Sequence, residues 1–267
     1  MTAISDWDAL TEFARAMANA AAAAILPYFR NDNRIDTKPG VVWDPVTEAD
    51  RAGERIMRRM IEERFPDHGI NGEEYGRKEG RSGMTWILDP VDGTRAFICG
   101  MPTWTTLIGL SLDGVPKVGL MNQPYVGECF YGNPAGAWCD YRGTLSQLKV
   151  KARRPLAEAT FCTTAPELYR SEAEQRVLAA MSKTTRLTRY GGDAYFFALV
   201  AAGQIDIAMD AHMQAYDIAP LIPVIAGAGG CAATWDGKPA ADGGDVVAAS
   251  NPELLAEVLD VVNTARA

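Results

Sequence analysis

Residues 86–94 read WILDPVDGT, and this stretch decides how the rest of the chain is interpreted. Its apolar start predicts a short buried strand over residues 86–88, and Gly93 and Thr94 begin a predicted helix over residues 94–98. Between them lies a polar turn with two carboxylates, Asp89 and Asp92, three residues apart. Carboxylates offer hard oxygen ligands to Mg²⁺, and the unpaired N–H groups at a helix start favour an anion. One turn can therefore hold a metal ion and a phosphate side by side.

A simpler interpretation of the same stretch is purely structural. Asp-Pro and Asp-Gly are ordinary turn signals, and Asp92 can serve as a helix cap without any ligand. The stretch alone does not decide between the two interpretations. Further acidic residues in matching contexts elsewhere in the chain favour the functional one.

These further motifs give the chain a family resemblance. DPVDGT at residues 89–94 resembles the signature of the inositol monophosphatase family of Mg²⁺-dependent phosphatases. Gly-Glu-Glu at 72–74, Val-Thr-Glu-Ala-Asp at 46–50 and Tyr-Asp-Ile-Ala at 216–219 resemble three other motifs of that family. Any one of them alone would be a weak signal. Four in the right order, over most of the 267 residues, make a specific match.

The resemblance implies a fold and a set of site residues. The fold is the layered α-β-α-β-α sandwich of the inositol monophosphatase and fructose-1,6-bisphosphatase type, of mixed α/β (α+β) class, commonly found as a homodimer. Two or three Mg²⁺ ions are implied, as are N–H groups of Gly93 and Thr94 that bind phosphate. Asp50 is implied to help Thr94 orient the attacking water, beside Glu73 as the third catalytic residue. The implied metal ligands are Glu73, Asp89, the carbonyl of Val91, Asp92 and Asp217.

Composition bounds the class of protein and its partners. A hydrophobic fraction of 48% and a charged fraction of 22% are typical of a soluble globular protein. The net charge of −8 disfavours nucleic acid or an anionic membrane as a partner. The five cysteines are scattered without a C-x-x-C motif, which fits a reducing compartment and predicts a cytoplasmic protein. No stretch is long and apolar enough to predict a membrane span.

The pattern along the chain predicts two halves. Residues 1–146 are expected to form an α+β half with two helices, a largely antiparallel sheet and the metal-binding signature. The segment 147–156 is basic and is interpreted as a connection. Residues 147–267 alternate strands and helices and are expected to complete one compact catalytic unit. One of their helices is predicted to run from Asp217 to about Ala228, with an irregular start because of Pro220 and Pro223.

The assembled site would favour direct attack by water. Four carboxylates within a few ångströms cannot all stay ionised unaided, because like charges raise each other's pKa, and divalent cations remove that conflict. Bound cations activate water and stabilise the leaving alkoxide, so no protein nucleophile is needed. The expected reaction is hydrolysis of a small phosphomonoester. The four carboxylates are those of Glu73, Asp89, Asp92 and Asp217.

Substrate identity depends on the second half. RYGGDAY at residues 189–195 and TWTTL at 103–107 resemble the histidinol-phosphate phosphatase branch. Asp193 in that segment can receive the ammonium or imidazolium of an amino-alcohol phosphate, or it can simply cap its helix. The inositol-specific enzymes carry Glu where Asp210 aligns and Trp where Tyr216 stands, which makes inositol phosphate a less secure substrate. The predicted substrate-binding residues are Asp92, Asp193, Asp210 and Asp217.

Several functions stay open at this point. The leading hypothesis is a histidinol-phosphate phosphatase of histidine biosynthesis, and the near alternative is an inositol-1-monophosphatase or a broad sugar-phosphate phosphatase. A redox-linked nucleotide phosphatase is more distant. A hypothesis of another class is a catalytically silent regulator that binds a phosphorylated metabolite, although every ligand position is retained. Residues 31–44 are polar and are predicted to form a loop. Its Lys38 can approach a phosphate or simply be solvated.

Overall fold

The computed structural model describes residues 6–31, 35–37 and 45–267. Lys38 and most of its loop lie outside these residues. Eight α-helices occur in the described residues, besides short 3₁₀ turns. They are α1 (Trp7–Ile25), α2 (Glu48–Arg64), α3 (Thr94–Ile98), α4 (Glu172–Thr184), α5 (Asp193–Ala201), α6 (Ala215–Ile218), α7 (Ile222–Gly227) and α8 (Pro252–Arg266).

The strands of the described ranges form three sheets. The smallest pairs β1 (Ile35–Thr37) with β2 (Pro45–Thr47). The first large sheet contains β3 (Gly69–Gly72), β4 (Gly76–Lys78), β5 (Met84–Asp92), β6 (Thr105–Leu112), β7 (Val115–Gln123), β8 (Glu128–Asn133), β9 (Gly136–Tyr141) and β10 (Thr144–Gln147). The second contains β11 (Thr160–Thr163), β12 (Leu187–Tyr190), β13 (Ile207–Met213), β14 (Cys231–Thr234) and β15 (Gly244–Ala249).

The two large sheets differ in strand direction. The eight-stranded sheet has the order β10-β9-β8-β7-β6-β5-β3-β4 and is antiparallel except where β3 and β5 run parallel. The five-stranded sheet has the order β12-β11-β13-β15-β14, and β11 runs parallel to both of its neighbours. Strands β6 and β7 pair as an antiparallel hairpin, and the largely antiparallel sheet predicted for the first half is confirmed.

The elements stack in five layers. Helices α1 and α2 pack on one face of the eight-stranded sheet, and α5 and α7 lie between the two sheets. Helices α4 and α8 pack together on the outer side of the five-stranded sheet. Three buried apolar clusters fill the successive interfaces. This is the predicted α-β-α-β-α sandwich, so the fold class is confirmed.

Local sequence explains how α2 begins. Thr47 caps the helix by accepting the N–H of Ala49, and Asp50 returns a bond by accepting the backbone N–H of Thr47 at 2.9 Å. This reciprocal capping box satisfies N–H groups that the first helical turn leaves without intrahelical partners.

The strand at the signature is longer than predicted. Strand β5 continues beyond Leu88 to Asp92, with an irregularity in its pairing to β6 between Asp89 and Asp92. Both carboxylates therefore lie on the final stretch of a strand and not in a separate turn. Such irregularities re-aim side chains next to functional sites. Helix α3 spans residues 94–98 as predicted.

The single helix predicted from Asp217 to about Ala228 is wrong. The chain forms two short helices, α6 and α7, because Pro220 and Pro223 each lack the N–H that a continuous helix needs. The proline segment lies tight against the first sheet. A side chain at Gly119 would place Cβ 1.9 Å from the carbonyl oxygen of Pro220, so only glycine permits this close approach. Within the described residues, no helix combines the length and apolar character required to cross a bilayer.

Candidate active site

A cleft of about 210 Å³ collects acidic residues from both halves of the chain. Strand β5 and helix α3 contribute one side, and residues from β13, α5 and α6 contribute the other. Its lining includes every acidic residue predicted for metal or substrate binding: Glu73, Asp89, Asp92, Asp193, Asp210 and Asp217. Val91, Gly93 and Thr94 line it as well. The structure therefore brings together residues separated by more than one hundred positions in sequence.

Three carboxylates form the centre of this cleft. Asp89, Asp92 and Asp217 each offer an oxygen, and these oxygens all lie within 4.8 Å of one another. Asp89 is fixed by the N–H of Val91 at 3.0 Å, and Asp92 by the N–H of Ala194 at 2.9 Å. The bond to Ala194 ties the first half of the chain to the start of α5.

Asp217 does not begin its helix as predicted. It is the third residue of α6, and its carboxylate accepts the backbone N–H of Gln214 at 2.7 Å. The residue that caps α6 is Gln214. Asp217 thus has a complete structural role in a capping box and still reaches the carboxylate cluster.

The carboxylates of the cluster repel one another when they are ionised. Burial raises the pKa of Asp89 well above its ordinary value, and the neighbouring charges of Glu73, Asp92 and Asp217 raise it further. The pKa of Asp92 is also raised well above its ordinary value, first by burial and then by Asp193 and Asp217, although its bond from Ala194 lowers it. Such buried, like-charged oxygens are the donor set that a hard divalent cation neutralises. The residues present therefore fit a metal ion.

Glu73 lies beside the cluster. It lines the same cleft, and its hydrogen bond with Asp89 is one of the causes that raise the pKa of that carboxyl. The backbone N–H of Glu73 donates to the carbonyl of Leu88 at 3.1 Å, which anchors the loop after β3 to β5. Parallel pairing of β3 with β5 thus places Glu73 and Glu74 next to the signature.

The turn into α3 lies against Asp193. Gly93 has a left-handed backbone with φ of 77°, and a Cβ there would lie 3.1 Å from Cγ of Asp193. Thr94 follows, and its hydroxyl lies 3.1 Å from the carbonyl of Val91 and 3.4 Å from Oδ1 of Asp50. The hydroxyl has a single proton, so it donates to one of these two acceptors at a time.

Asp50 combines a structural role in α2 with a contact to the signature. Its Oδ2 closes the capping box of α2, and its Oδ1 lies at the Thr94 hydroxyl. Burial raises the pKa of Asp50 to about 6, against the hydrogen bonds from Thr47 that lower it; the charge of Glu73 also raises it. The cap and the contact with the signature use different oxygens of one carboxylate.

Asp193 is not a helix cap. The capping position of α5 is occupied by Gly192 without a side-chain bond, and Asp193 is the first helical residue, with a positive φ of 44°. Burial raises the pKa of Asp193 to about 7, and the charge of Asp210 adds to this, whereas Arg95 lowers it. A positive φ at a residue other than glycine persists only where the surroundings enforce it, and such strain is concentrated at functional sites.

Asp210 lies on β13 and is 4% exposed. Its carboxylate accepts the hydroxyl of Thr163 at 2.7 Å, the N–H of Thr164 at 2.7 Å and the hydroxyl of Thr164 at 2.8 Å. Burial raises the pKa of Asp210 to about 6, and these three bonds lower it. An ionised carboxylate has about four acceptor positions, so roughly one is left for a ligand.

Sequence reasoning missed three other polar residues of the cleft: Arg95, Thr164 and His212. Arg95 immediately follows the signature, and Thr164 follows the end of β11, so their positions at element ends were available signals. His212 adopts φ of 60° on the irregular end of β13, and its ring nitrogen lies 3.3 Å from Glu174. Nothing in the sequence around His212 signals that conformation.

Comparison with known proteins agrees with this geometry. Residues 6–266 match the profile of the inositol monophosphatase family. The chain is 35% identical to the protein named bifunctional phosphatase IMPL2, chloroplastic, from Arabidopsis thaliana, over 88% of this chain and 66% of that protein. The chain thus spans just under two thirds of the plant protein's length. It is also 35% identical to a histidinol-phosphatase of Mycobacterium tuberculosis, over 87% of this chain and 89% of the relative.

A solved structure described as an inositol monophosphatase from Zymomonas mobilis is similar over nearly the whole chain. The TM-score is 0.86 at 32% identity, with 97% of this chain and 99% of that one covered. Fold, site and relatives together define a phosphoric monoester hydrolase that acts on small phosphorylated substrates. The chain belongs to the inositol monophosphatase family, in which metal dependence is general.

Proposed function

We propose that this protein is a Mg²⁺-dependent phosphomonoesterase whose substrate is histidinol phosphate. The observation that carries the proposal is the group of three carboxylates, those of Asp89, Asp92 and Asp217, with oxygens within 4.8 Å of one another in a cleft that Asp193 also lines. The carboxylates account for metal-assisted hydrolysis. Asp193 accounts for a preference for a cationic alcohol.

The proposed metal ligands are the carboxylates of Glu73, Asp89, Asp92 and Asp217 and the carbonyl of Val91, for two or three Mg²⁺ ions. Bound Mg²⁺ would supply Lewis-acid polarisation of the phosphoryl oxygens, a lower pKa for a coordinated water and charge neutralisation at the leaving alkoxide. The raised pKa values of Asp89 and Asp92 support this assignment, because a cation removes the repulsion among ionised oxygens.

The chain's own groups would orient the reactants. The N–H groups of Gly93 and Thr94, at the start of α3, would hold the phosphate for in-line attack. The Thr94 hydroxyl donates towards Val91 or Asp50, which leaves its oxygen lone pairs free to accept a hydrogen from the attacking water. Asp50 thereby acts on the water through Thr94. Attack by water is direct, so no covalent enzyme intermediate is required.

Asp193 and Asp210 are proposed as the substrate side, together with Asp92 and Asp217. Asp193 lies against Gly93 and therefore next to the proposed phosphate site. An ammonium or imidazolium group there would be stabilised by its carboxylate, and the charge of Asp210 adds to the negative potential. The similarity to a protein named histidinol-phosphatase supports this preference.

Inositol 1-phosphate is the second candidate substrate, and other sugar phosphates belong with it. The similarity to a solved inositol monophosphatase favours this alternative. A neutral polyol gains less from the two carboxylates of Asp193 and Asp210 than a cation does. A silent phosphometabolite-binding regulator is the alternative of another class, and the retention of all the motif carboxylates weighs against it.

The test is phosphate release from L-histidinol phosphate and from inositol 1-phosphate, side by side, in Mg²⁺ and in EDTA. We expect Mg²⁺-dependent release with a preference for histidinol phosphate. A preference for inositol phosphate would overturn the substrate assignment and leave the phosphatase assignment standing. Absence of release from either substrate, with Mg²⁺ bound, would favour the silent regulator.

A substitution separates substrate recognition from chemistry. Asp193→Asn should raise KM for histidinol phosphate by about tenfold, the scale of one lost charge-assisted hydrogen bond, and leave KM for inositol phosphate nearly unchanged. Asp260→Asn on the exposed face of α8 is the matched control and should change neither value. Equal effects of Asp193→Asn on both substrates would contradict a cation-specific role.

Three broader assignments accompany this proposal. We propose that residues 1–146 and 147–267 act as one catalytic unit, supported by the cleft that both segments line. A homodimer and a cytoplasmic location are likewise proposals, which gel filtration with light scattering and cell fractionation would test.

A further inference from the structure

We propose that Glu54, a buried residue of α2, is a positioning residue. It would fix the Glu73 loop, residues 73–75 between β3 and β4, for metal binding. This inference rests on the metal site of the proposed function. Glu54 does not line the cleft and would act only through the loop.

The contacts of Glu54 all serve that loop. Its side chain has no exposed surface. One oxygen, Oε2, accepts the N–H of Glu74 at 2.7 Å, and the other, Oε1, accepts the N–H of Tyr75 at 3.1 Å. Arg58, one turn further along α2, donates its Nε to Oε1 at 2.7 Å. A buried carboxylate is thus balanced by a guanidinium and by the two N–H groups that directly follow Glu73.

The other end of the loop is fitted to the same carboxylate. A Cβ on Gly72 would lie 2.0 Å from Oε1 and 2.5 Å from Cδ of Glu54. Only glycine at residue 72 lets the Glu54 carboxylate occupy its position. Arg58 also donates to the carbonyl of Gly76, and Arg55 donates to the Tyr75 hydroxyl at 2.9 Å. Residues 72–76 are therefore held along one face of α2.

Helix α2 relates two parts of the site through one face. Asp50 and Glu54 are four residues apart, so their side chains project from the same side of the helix, and both are buried. Asp50 reaches Thr94 of the signature, and Glu54 holds the Glu73 loop. Helix α2 thus sets the distance between the signature and the Glu73 loop.

The function follows from preorganisation. The Glu54 carboxylate accepts the N–H groups of Glu74 and Tyr75 at once. It would thereby hold the backbone next to Glu73 in a single position before any ion arrives. Removing such outer partners of a ligand typically weakens metal affinity by 10–100-fold. Glu54→Gln keeps the shape of the side chain but replaces one acceptor oxygen with an N–H₂ group facing a donor.

The decisive measurement is the Kd for Mn²⁺, determined by isothermal titration calorimetry on the full chain well below its Tm. Glu54→Gln should raise the Kd by roughly 10–100-fold. The concentration of Mg²⁺ for half-maximal phosphate release should rise in parallel, with kcat largely recovered at saturating Mg²⁺. Glu63→Gln is the matched control, because Glu63 is an exposed residue of the same helix and pairs with Arg59 four residues away. It should match the wild type.

A second variant breaks the same contact from the loop side. Gly72→Ala displaces the Glu54 carboxylate without altering any charge, and we expect a rise in the Mn²⁺ Kd of similar size. Because Gly72→Ala removes no charge, a rise in its Mn²⁺ Kd cannot come from the loss of a buried charge.

Each outcome decides the inference. A lower Tm with a Mn²⁺ Kd within twofold of the wild type, in both variants, would show a merely structural role and overturn it. Wild-type protein that binds Mn²⁺ but releases no phosphate would overturn the proposed function alone, since the Kd ratio still tests Glu54. Wild-type protein that binds no Mn²⁺ would overturn both.

Discussion

Asp89 and Asp210 are two buried aspartates of the same cleft, 2% and 4% exposed, and they are stabilised in different ways. Asp210 accepts three hydrogen bonds from two threonines. Asp89 accepts the N–H of Val91 and faces the negative charges of Glu73, Asp92 and Asp217. The pKa of both carboxyls is raised by burial, but only Asp89 has like charges as the next largest causes.

The difference distinguishes a metal ligand from a scaffold residue. A buried charge must be balanced by donors or by an ion of opposite sign. Asp210 is balanced largely by the protein itself, which suits a residue that shapes the cleft and retains one acceptor position. The group around Asp89 has an excess of negative charge, which suits a residue whose balance arrives with a cation.

The largest effect is expected for Asp89→Asn. The substitution removes one charged ligand from the cluster and should lower kcat by roughly 10²–10³-fold, the scale of losing one electrostatic stabiliser of the transition state. It also relieves repulsion, so the metal-free variant should be at least as stable to urea as the metal-free wild type. Full activity in phosphate-release assays would remove Asp89 from the metal site.

Asp210→Ala should do the opposite. It removes the acceptor of the Thr164 N–H and leaves the buried Thr163 hydroxyl with only its contact to the Tyr169 hydroxyl, so we expect the free energy of unfolding to fall by about 2–4 kcal/mol. Urea denaturation measures this change, and the Mn²⁺ Kd should stay within a few-fold of the wild type. A large loss of Mn²⁺ affinity with unchanged stability would reverse the distinction drawn between the two aspartates.

The pH dependence of stability offers a third comparison. Carboxyls whose pKa in the folded protein is raised contribute stability at low pH and lose it as the pH rises through that pKa. With Asp210 at about 6 and Asp193 at about 7, the unfolding free energy in EDTA should fall by about 2 kcal/mol or more between pH 5 and 7.5.

Saturating Mg²⁺ is the control for that measurement. It should remove the share of the fall that belongs to the cluster around Asp89 and leave the share that belongs to Asp210. Urea titrations at each pH supply both curves. Stability in EDTA that rises over this pH window would contradict the burial of these charges.

The smallest effect is expected at Gly93, where the signature approaches Asp193. Gly93→Ala forces a left-handed residue to carry a Cβ and pushes it to 3.1 Å from the Asp193 carboxyl carbon. We expect a loss of about 1–2 kcal/mol in unfolding free energy, measured by urea denaturation. Gly143→Ala, also left-handed but with no atom within 4 Å of its Cβ, isolates the backbone cost. Identical losses would mean that the contact with Asp193 carries no weight.

The elements that the sequence predicted are those with local causes. The exact span of α3 and the strand at the start of the signature depend on neighbouring residues and on apolar spacing. The proximity of Asp89 and Asp92 depends on the irregularity between them in β5, because residues three apart on a regular strand point to opposite faces. The fold and the meeting of Asp217 with them came from the motif order that the family shares, because spacing cannot reveal a contact across more than one hundred residues.

The features that the sequence did not predict depend on tertiary contacts. Glu54 is one of many charged residues on an amphipathic helix, and its burial depends on a loop twenty residues away. Asp193 has the sequence context of a cap, but the tight contact with Gly93 fits it to a different position. The helix after Asp217 divides because two prolines pack on the glycines of a sheet, which no local pattern specifies.

The most direct test of the central claim is an anomalous difference map from a crystal of the wild-type protein soaked in Mn²⁺. We predict at least one strong peak bounded by the carboxylates of Asp89, Asp92 and Asp217, and no peak at Asp210. A cluster without a peak, at a Mn²⁺ concentration that supports phosphate release, would contradict the assignment of these three carboxylates as the metal site.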